Sequence, residues 1–171
     1  MNIKLFKNLL VFSIIMATSG VILAQSKRFA GDWVVDIGGE INETFVTNDS
    51  NSSFGLICIT KCLWYVDFQK KCDDGEKYIA LMADGDASSA VSLRCVTIKN
   101  RYILIIDDFD KVQAATLRSS NIGFAVSTDS GRFHVSRFSL RGSKEAQTQV
   151  FKSAAESNKK PKSSGFRDQS L

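Results

Sequence analysis

Four cysteines, Cys58, Cys62, Cys72 and Cys95, stand in the middle of this chain, and the segment ahead of them decides their chemistry. Lys4 and Lys7 give a positively charged start. Leu9 to Ala17 opens an uncharged apolar stretch that continues to Leu23, and Ala24-Gln25-Ser26 ends it on small residues. Charged start, apolar centre and small-residue end are the three parts of a secretory signal peptide. Residues 1–24 are therefore expected to be removed, with cleavage within residues 24–26. Ser13, Thr18, Ser19 and Gly20 dilute the stretch, whereas a bilayer span takes about 20 predominantly apolar residues. No cysteine closes the stretch, which argues against a lipid anchor. The mature protein is expected in the periplasm or secreted, with no membrane span after signal removal. In an oxidising compartment an even set of cysteines forms disulfides. The rival zinc site has Cys58-x3-Cys62 in its favour. Against it, Cys72 and Cys95 lie far apart with no histidine beside them. A thiol oxidoreductase needs Cys-x-x-Cys, and here the gap is three residues.

The rest of the chain fits one β-rich domain over residues 27–157. Apolar residues make up 44% and charged residues 23% of the 171, which excludes a fibrous or wholly disordered chain. Short β-prone runs alternate with turn signals. Trp33-Val34-Val35 and Glu40 to Val46 start the series. Phe54 to Phe68 forms a hairpin about Thr60-Lys61, with Cys62, Trp64 and Val66 on one face and Leu63, Tyr65 and Asp67 on the other. A two-residue turn there sets Cys58 opposite Leu63, whereas a three-residue loop sets it opposite Cys62. Lys77 to Ala83 and Ala90 to Lys99 follow, the latter with a change of phase at Cys95-Val96 that hints at a bulge. Tyr102 to Ile106 is apolar throughout and reads as a central strand. Lys111 to Leu117 fits one helical turn or a short strand. Ile122 to Ser127 and Arg132 to Leu140 flank Thr128-Asp129-Ser130-Gly131 as a second hairpin. The expected fold is mainly β, an antiparallel β-sandwich or partly open barrel of about seven to nine strands with one C-terminal α-helix. That helix is expected over residues 144–156, capped by Ser143, with Ala146, Val150, Phe151, Ala154 and Ala155 as its apolar stripe. Residues 158–171 carry Lys159, Lys160, Lys162 and Arg167 and read as a disordered basic tail.

The expected disulfides are Cys58–Cys62, closing the first hairpin, and Cys72–Cys95, tying the following link to a later strand. Four cysteines allow three pairings, and this is one of them.

The formal charge of +4 does not imply a nucleic-acid partner. Lys4 and Lys7 belong to the signal and the tail carries a net +3, which leaves the folded part near −1. Chemistry-bearing residues are few. His134, the one histidine, sits in an alternating strand without a nucleophile to serve. Asp107, Asp108 and Asp110 suit a solvated strand end; the alternatives are a calcium site or paired carboxylates of a hydrolase. Asp84-x-Asp86-x-Ser88 begins like a calcium-binding loop but has Ser89 where glycine is required and Cys95 where glutamate is required. No cofactor, metal or catalytic set is expected. The residues point to a non-enzymatic exported protein acting by protein–protein contact, its protein partner unknown. A secreted hydrolase inhibitor using a protruding loop, Thr47–Ser53 or Asp84–Ser89, is the first alternative, and a hydrolase built on the Asp cluster the second.

Two short motifs carry a resemblance. Phe29-Ala30-Gly31-Asp32-Trp33 near the mature N-terminus is similar to the opening of the invasion-associated locus B family. The closing run is similar too: Ile122-Gly123-Phe124-Ala125-Val126, a glycine turn, then Arg137-Phe138-Ser139-Leu140-Arg141-Gly142 before a helix. The resemblance implies an exported bacterial β-rich protein related to host interaction. The block Gly55-Leu56-Ile57-Cys58 to Cys62-Leu63-Trp64-Tyr65 also resembles uncharacterised exported proteobacterial proteins.

Overall fold

A computed structural model describes residues 26–85, 87–127 and 131–159. The segment expected to be a signal, Asp86, residues 128–130 and most of the segment expected to be a disordered tail, from residue 160, lie outside the described residues. The strands are β1 (Ser26–Ala30), β2 (Trp33–Ile37), β3 (Asn42–Thr47), β4 (Ser53–Cys58), β5 (Cys62–Asp67), β6 (Lys77–Asp84), β7 (Ala87–Ile98), β8 (Arg101–Ile106), β9 (Asn121–Ser127) and β10 (Phe133–Ser139). The helices are α1 (Phe109–Arg118) and α2 (Ser143–Lys159). All ten strands join one antiparallel sheet in the order β1-β2-β3-β4-β5-β8-β7-β6-β9-β10.

The sheet curls around its main core without closing. Every strand sends at least one buried apolar residue into that core, from Ala30 on β1 to Phe138 on β10. Phe54 on β4 stacks on Trp64 at 5.1 Å between ring centroids and also meets Phe124 on β9 at 5.3 Å and Phe138 on β10 at 5.8 Å. Strands far apart in the sheet order thus face each other across the interior. Such ring pairs add about 0.5–1.5 kcal/mol each beyond their buried area. The seam is held by polar bridges instead of a strand ladder. The Asn48 amide donates to the Arg137 carbonyl at 3.3 Å, and the Trp33 indole N–H donates to the Ser139 carbonyl at 3.0 Å.

The two motifs that carry the family resemblance meet at this seam. Gly31, at φ +58°, and Gly142, at φ +89°, are packed backbone against backbone: a Cβ on Gly142 would lie 2.0 Å from the Ala30 carbonyl oxygen. The Asp32 N–H donates to the Arg141 carbonyl at 3.0 Å, and the Arg141 guanidinium and the Ser139 hydroxyl both donate to the Asp32 carboxylate. Those two donors hold the Asp32 carboxyl below its ordinary pKa.

Several expectations need correction. There are ten strands, because the charged stretch Ser26–Ala30 folds back on β2 as an edge strand, where one-sided pairing makes little demand for alternation. Lys111 to Leu117 lies within a full helix, α1, which buries Val112, Ala115 and Thr116 at helical spacing. The C-terminal helix runs to Lys159, beyond the expected 144–156 and into the expected tail. Ser143 does not cap it from outside; it lies in the first turn and its hydroxyl donates to the Thr116 carbonyl. Ala155 is exposed and Gln147 takes its place on the buried face, accepting from Gln113 on α1 at 2.7 Å.

No bulge interrupts β7 at Cys95-Val96, since its pairing with β8 is continuous from Leu93↔Ile106 to Ile98↔Arg101. The change of phase has another cause. Val91, Leu93 and Cys95 face the main core, while Val96 and Ile98 pack on a second cluster around Ile57, Tyr65, Ile103 and Ile105 on the outer face. The central strand β8 feeds both, which is why Tyr102 to Ile106 lacks alternation. The hairpin has a three-residue loop with Cys58 opposite Cys62. The structure joins Cys58 to Cys62, with Cα atoms 4.0 Å apart, and Cys72 to Cys95, with Cα atoms 6.1 Å apart.

Candidate functional site

Strand parity sorts the side chains of the last four strands in the sheet. On β10, Ser136 and Phe138 are buried, so Phe133 and Val135 point outward and are 69% and 62% exposed. On β6, Ala80 and Met82 are buried, so Ile79 and Leu81 point outward, 66% and 51% exposed. Register brings these together. Val135 pairs with Ala125, Ala125 with Leu81 and Leu81 with Ala90, making one cross-strand row. Phe133 pairs with Ser127 beside it, and Ile79 pairs with Ser92. The result is an apolar outer face over β7, β6, β9 and β10, reaching the terminal strand of the sheet. Contiguous exposed apolar surface of this kind marks interaction sites in soluble proteins. Lys77, Arg94 and Arg137 stand at its borders, with Arg94 paired to Asp107 at 3.2 Å.

Strands β6, β8, β9 and β10 line a cleft on the inner side. Inner-face residues at the end of the barrel remote from α1 line a cavity of about 220 Å³: Phe68 and the linker cysteine Cys72, Tyr102 and Leu104 on β8, Tyr78 on β6, and His134 on β10. Leu104 and Val126 form its apolar floor, and Lys70 and Lys71 stand at its rim. The Phe68 ring meets the His134 ring edge to face at 4.7 Å. Ser136 Oγ lies 3.3 Å from His134 Nε2. Burial, and secondarily the Lys70 charge, hold the imidazole below its ordinary pKa. The Cys72–Cys95 bond pins the 68–76 link over this end of the barrel, helped by the Gly75 N–H to the Cys95 carbonyl and the Cys95 N–H to the Glu76 carbonyl.

The carboxylates singled out in the sequence are engaged separately. Asp107 binds Arg94, and Asp108 accepts from the Ser92 N–H and pairs with Lys111. The Ser92 N–H is the largest cause of the lowered Asp108 pKa, with Lys111 adding to it. Asp110 is exposed in the first turn of α1. No group of three or more histidine, cysteine, aspartate or glutamate side chains is placed to hold a metal ion among the described residues.

Both segments expected as loops are shortened by strand pairing in the described residues, the first at Thr47↔Ser53. Asn48 folds the first onto itself by accepting from the Ser50 and Ser52 N–H groups, and Ser52 is buried. Most of Asp84–Ser89 belongs to β6 and β7, paired at Asp84↔Ala87, with Asp84 buried against Arg118.

A polar group on the outer face escaped sequence reasoning. Tyr65, fully buried, donates to Glu43 at 2.6 Å. Arg101 binds the same carboxylate at 3.1 Å and lies over the Tyr65 ring, 5.7 Å from its centroid. Burial, then the Glu43 charge, push the phenol well above its ordinary pKa. Strand parity placed Tyr65 opposite Trp64, but Glu43 and Arg101 reach it only through register. Among the described residues, no helix is long and apolar enough to cross a membrane.

No family model and no curated protein matches the chain. Among solved structures, the fold is similar to that of invasion associated protein B from Bartonella henselae, with a TM-score of 0.53 and 11% sequence identity. The match covers 74% of this chain and 96% of that one. The resemblance noted in the short terminal motifs is therefore met by a resemblance of fold.

Proposed function

We propose that this is an exported, non-enzymatic protein of the periplasm or cell surface that acts by protein–protein contact, in the context of host interaction. The observation that carries the reading is the exposed apolar cluster Ile79, Leu81, Phe133 and Val135 on the outer face. A soluble β-protein gains nothing in its own stability by turning four large apolar side chains to water. The two disulfides are compatible with an oxidising compartment. The fold neighbour's name as an invasion associated protein supports the host-interaction side of the reading.

The test places a photo-crosslinking residue at position 133 in the mature protein and exposes it to envelope and host-cell extracts. A discrete adduct is expected. It should be lost when Ile79→Asp and Leu81→Asp are added, and absent when the crosslinker stands at Lys144, on α2. An adduct pattern that is the same from positions 133 and 144, or indifferent to the two aspartates, refutes the outer face as the contact surface. Cell fractionation with an intact leader checks export directly.

A further inference from the structure

We propose that the cleft at the open end of the barrel binds a small amphipathic anion: one ring or a short acyl chain bearing a single carboxylate. The cleft is on the inner side of the sheet and the contact face on the outer side, so either assignment stands or falls without the other.

Three features define the ligand. First, the walls are apolar and aromatic. Phe68, Tyr78, Tyr102 and His134 stand around a floor of Leu104 and Val126, and such a lining takes an apolar body. Second, the charge is one-sided. Lys70 and Lys71 stand at the rim, and no aspartate or glutamate lines the cavity among the described residues. Glu76 is turned to the Tyr78 hydroxyl, which donates to it. Among the described residues no carboxylate is bonded to His134; its ring is bounded by Phe68, Ser136 and the Lys70 charge. A cation placed there would meet two ammonium groups, whereas an anion would be paired at the rim while its apolar part fills the floor. Third, the volume is small. At about 220 Å³ the cavity falls below the roughly 300 Å³ at which drug-sized sites begin.

The chain's own segment from residue 160 onward is a poor occupant, because Lys160, Lys162 and Arg167 would bring further positive charge to a cationic rim. The disulfide from Cys72 to Cys95 keeps the rim lysines in place, since it fixes the link that carries them. That gives the bridge a role in binding as well as in stability.

The single histidine makes the test direct, because its imidazole resonances report this cleft and no other place in the molecule. Four probes are titrated into the mature, disulfide-intact protein: octanoate, octanol, octyltrimethylammonium and acetate. Octanoate is expected to shift the His134 resonances saturably and to raise the His134 pKa, since a bound carboxylate favours the imidazolium. Octyltrimethylammonium and acetate should bind at least about tenfold more weakly, and octanol in between, a tenfold step being about 1.4 kcal/mol. In the Lys70→Glu/Lys71→Glu variant the order of octanoate and octyltrimethylammonium should reverse. Both lysines are exposed, so the variant should fold as the wild type does. Equal binding of the anionic and cationic amphiphiles, saturable octanoate binding that leaves His134 unmoved, or no binding of octanoate at millimolar concentration each overturns the assignment.

Discussion

Replacing Gly142 by alanine should destabilise the protein far more than the same change at Gly38, although the two glycines have nearly the same φ angle. Their φ values are +89° and +92°. Each substitution therefore carries the strain of a positive φ and the same loss of freedom in the unfolded chain. They differ in what a methyl group would meet. At Gly38 nothing lies within 4 Å. At Gly142 the new carbon would stand 2.0 Å from the Ala30 oxygen, 2.4 Å from its carbonyl carbon and 2.8 Å from the Gly31 nitrogen. All three are backbone atoms, so no rotamer change relieves the overlap. The seam between Ala30-Gly31-Asp32 and Arg141-Gly142 must open instead. Overpacking costs about 1–3 kcal/mol where side chains can adjust, and this case belongs at the upper end. The difference between the two variants should be about 2–3 kcal/mol. At about 2–4 °C per kcal/mol for a chain of this size, the Gly142→Ala midpoint should lie roughly 5–10 °C below that of Gly38→Ala. The assay is thermal unfolding followed by near- and far-ultraviolet circular dichroism, with disulfides intact. Equal midpoints for the two variants would show that the seam is not a tight backbone contact, and the reasoning would fail.

Two further outcomes follow from the cross-links and from the buried phenol. Removing Cys72–Cys95 with a double alanine variant should cost about 3 kcal/mol and removing Cys58–Cys62 about 2 kcal/mol, because the bridged residues are separated by 23 and 4 positions. Urea unfolding that ranks the two the other way refutes this loop-length argument. Tyr65→Phe should lower stability at neutral pH by about 1.5–3 kcal/mol, as the phenol's bond to a charged carboxylate is lost. The pH profile gives a second reading. The Tyr65 pKa is raised on folding, so above the ordinary phenol value of 10.0 the unfolded chain releases a proton that the folded protein retains. The stabilisation is complete below that pH and is lost as pH rises beyond it, by up to about 1.4 kcal/mol per pH unit. Tyr65→Phe should flatten that alkaline decline, and an unchanged slope would place the phenol outside the fold's interior.

Period-two patterning was enough to find most of the strands, both hairpins and the sharing of faces within each. Cys62, Trp64 and Val66 were separable from Leu63, Tyr65 and Asp67 because side chains alternate along an extended chain whatever its partners are. The Gly142 break and the apolar spacing after it marked the last helix, for the same local reason. What the pattern does not encode is which face turns inward. Phe133 and Phe138 on β10 are chemically the same, yet one is 69% exposed and the other buried, and only the curl of the sheet decides between them. The exposed apolar face and the cleft are both consequences of that curl. The closing contact at Gly31 and Gly142 joins residues more than a hundred positions apart, and the cleft joins Phe68 to His134. The change of phase at Cys95-Val96 looked like a bulge because a strand buried on both faces gives a pattern that a one-sided strand gives only when interrupted. Local sequence determines conformation and parity through steric preferences of neighbouring residues. Register, inward direction and the meeting of distant strands are set by the burial of one common core, which exists only once the whole sheet has formed.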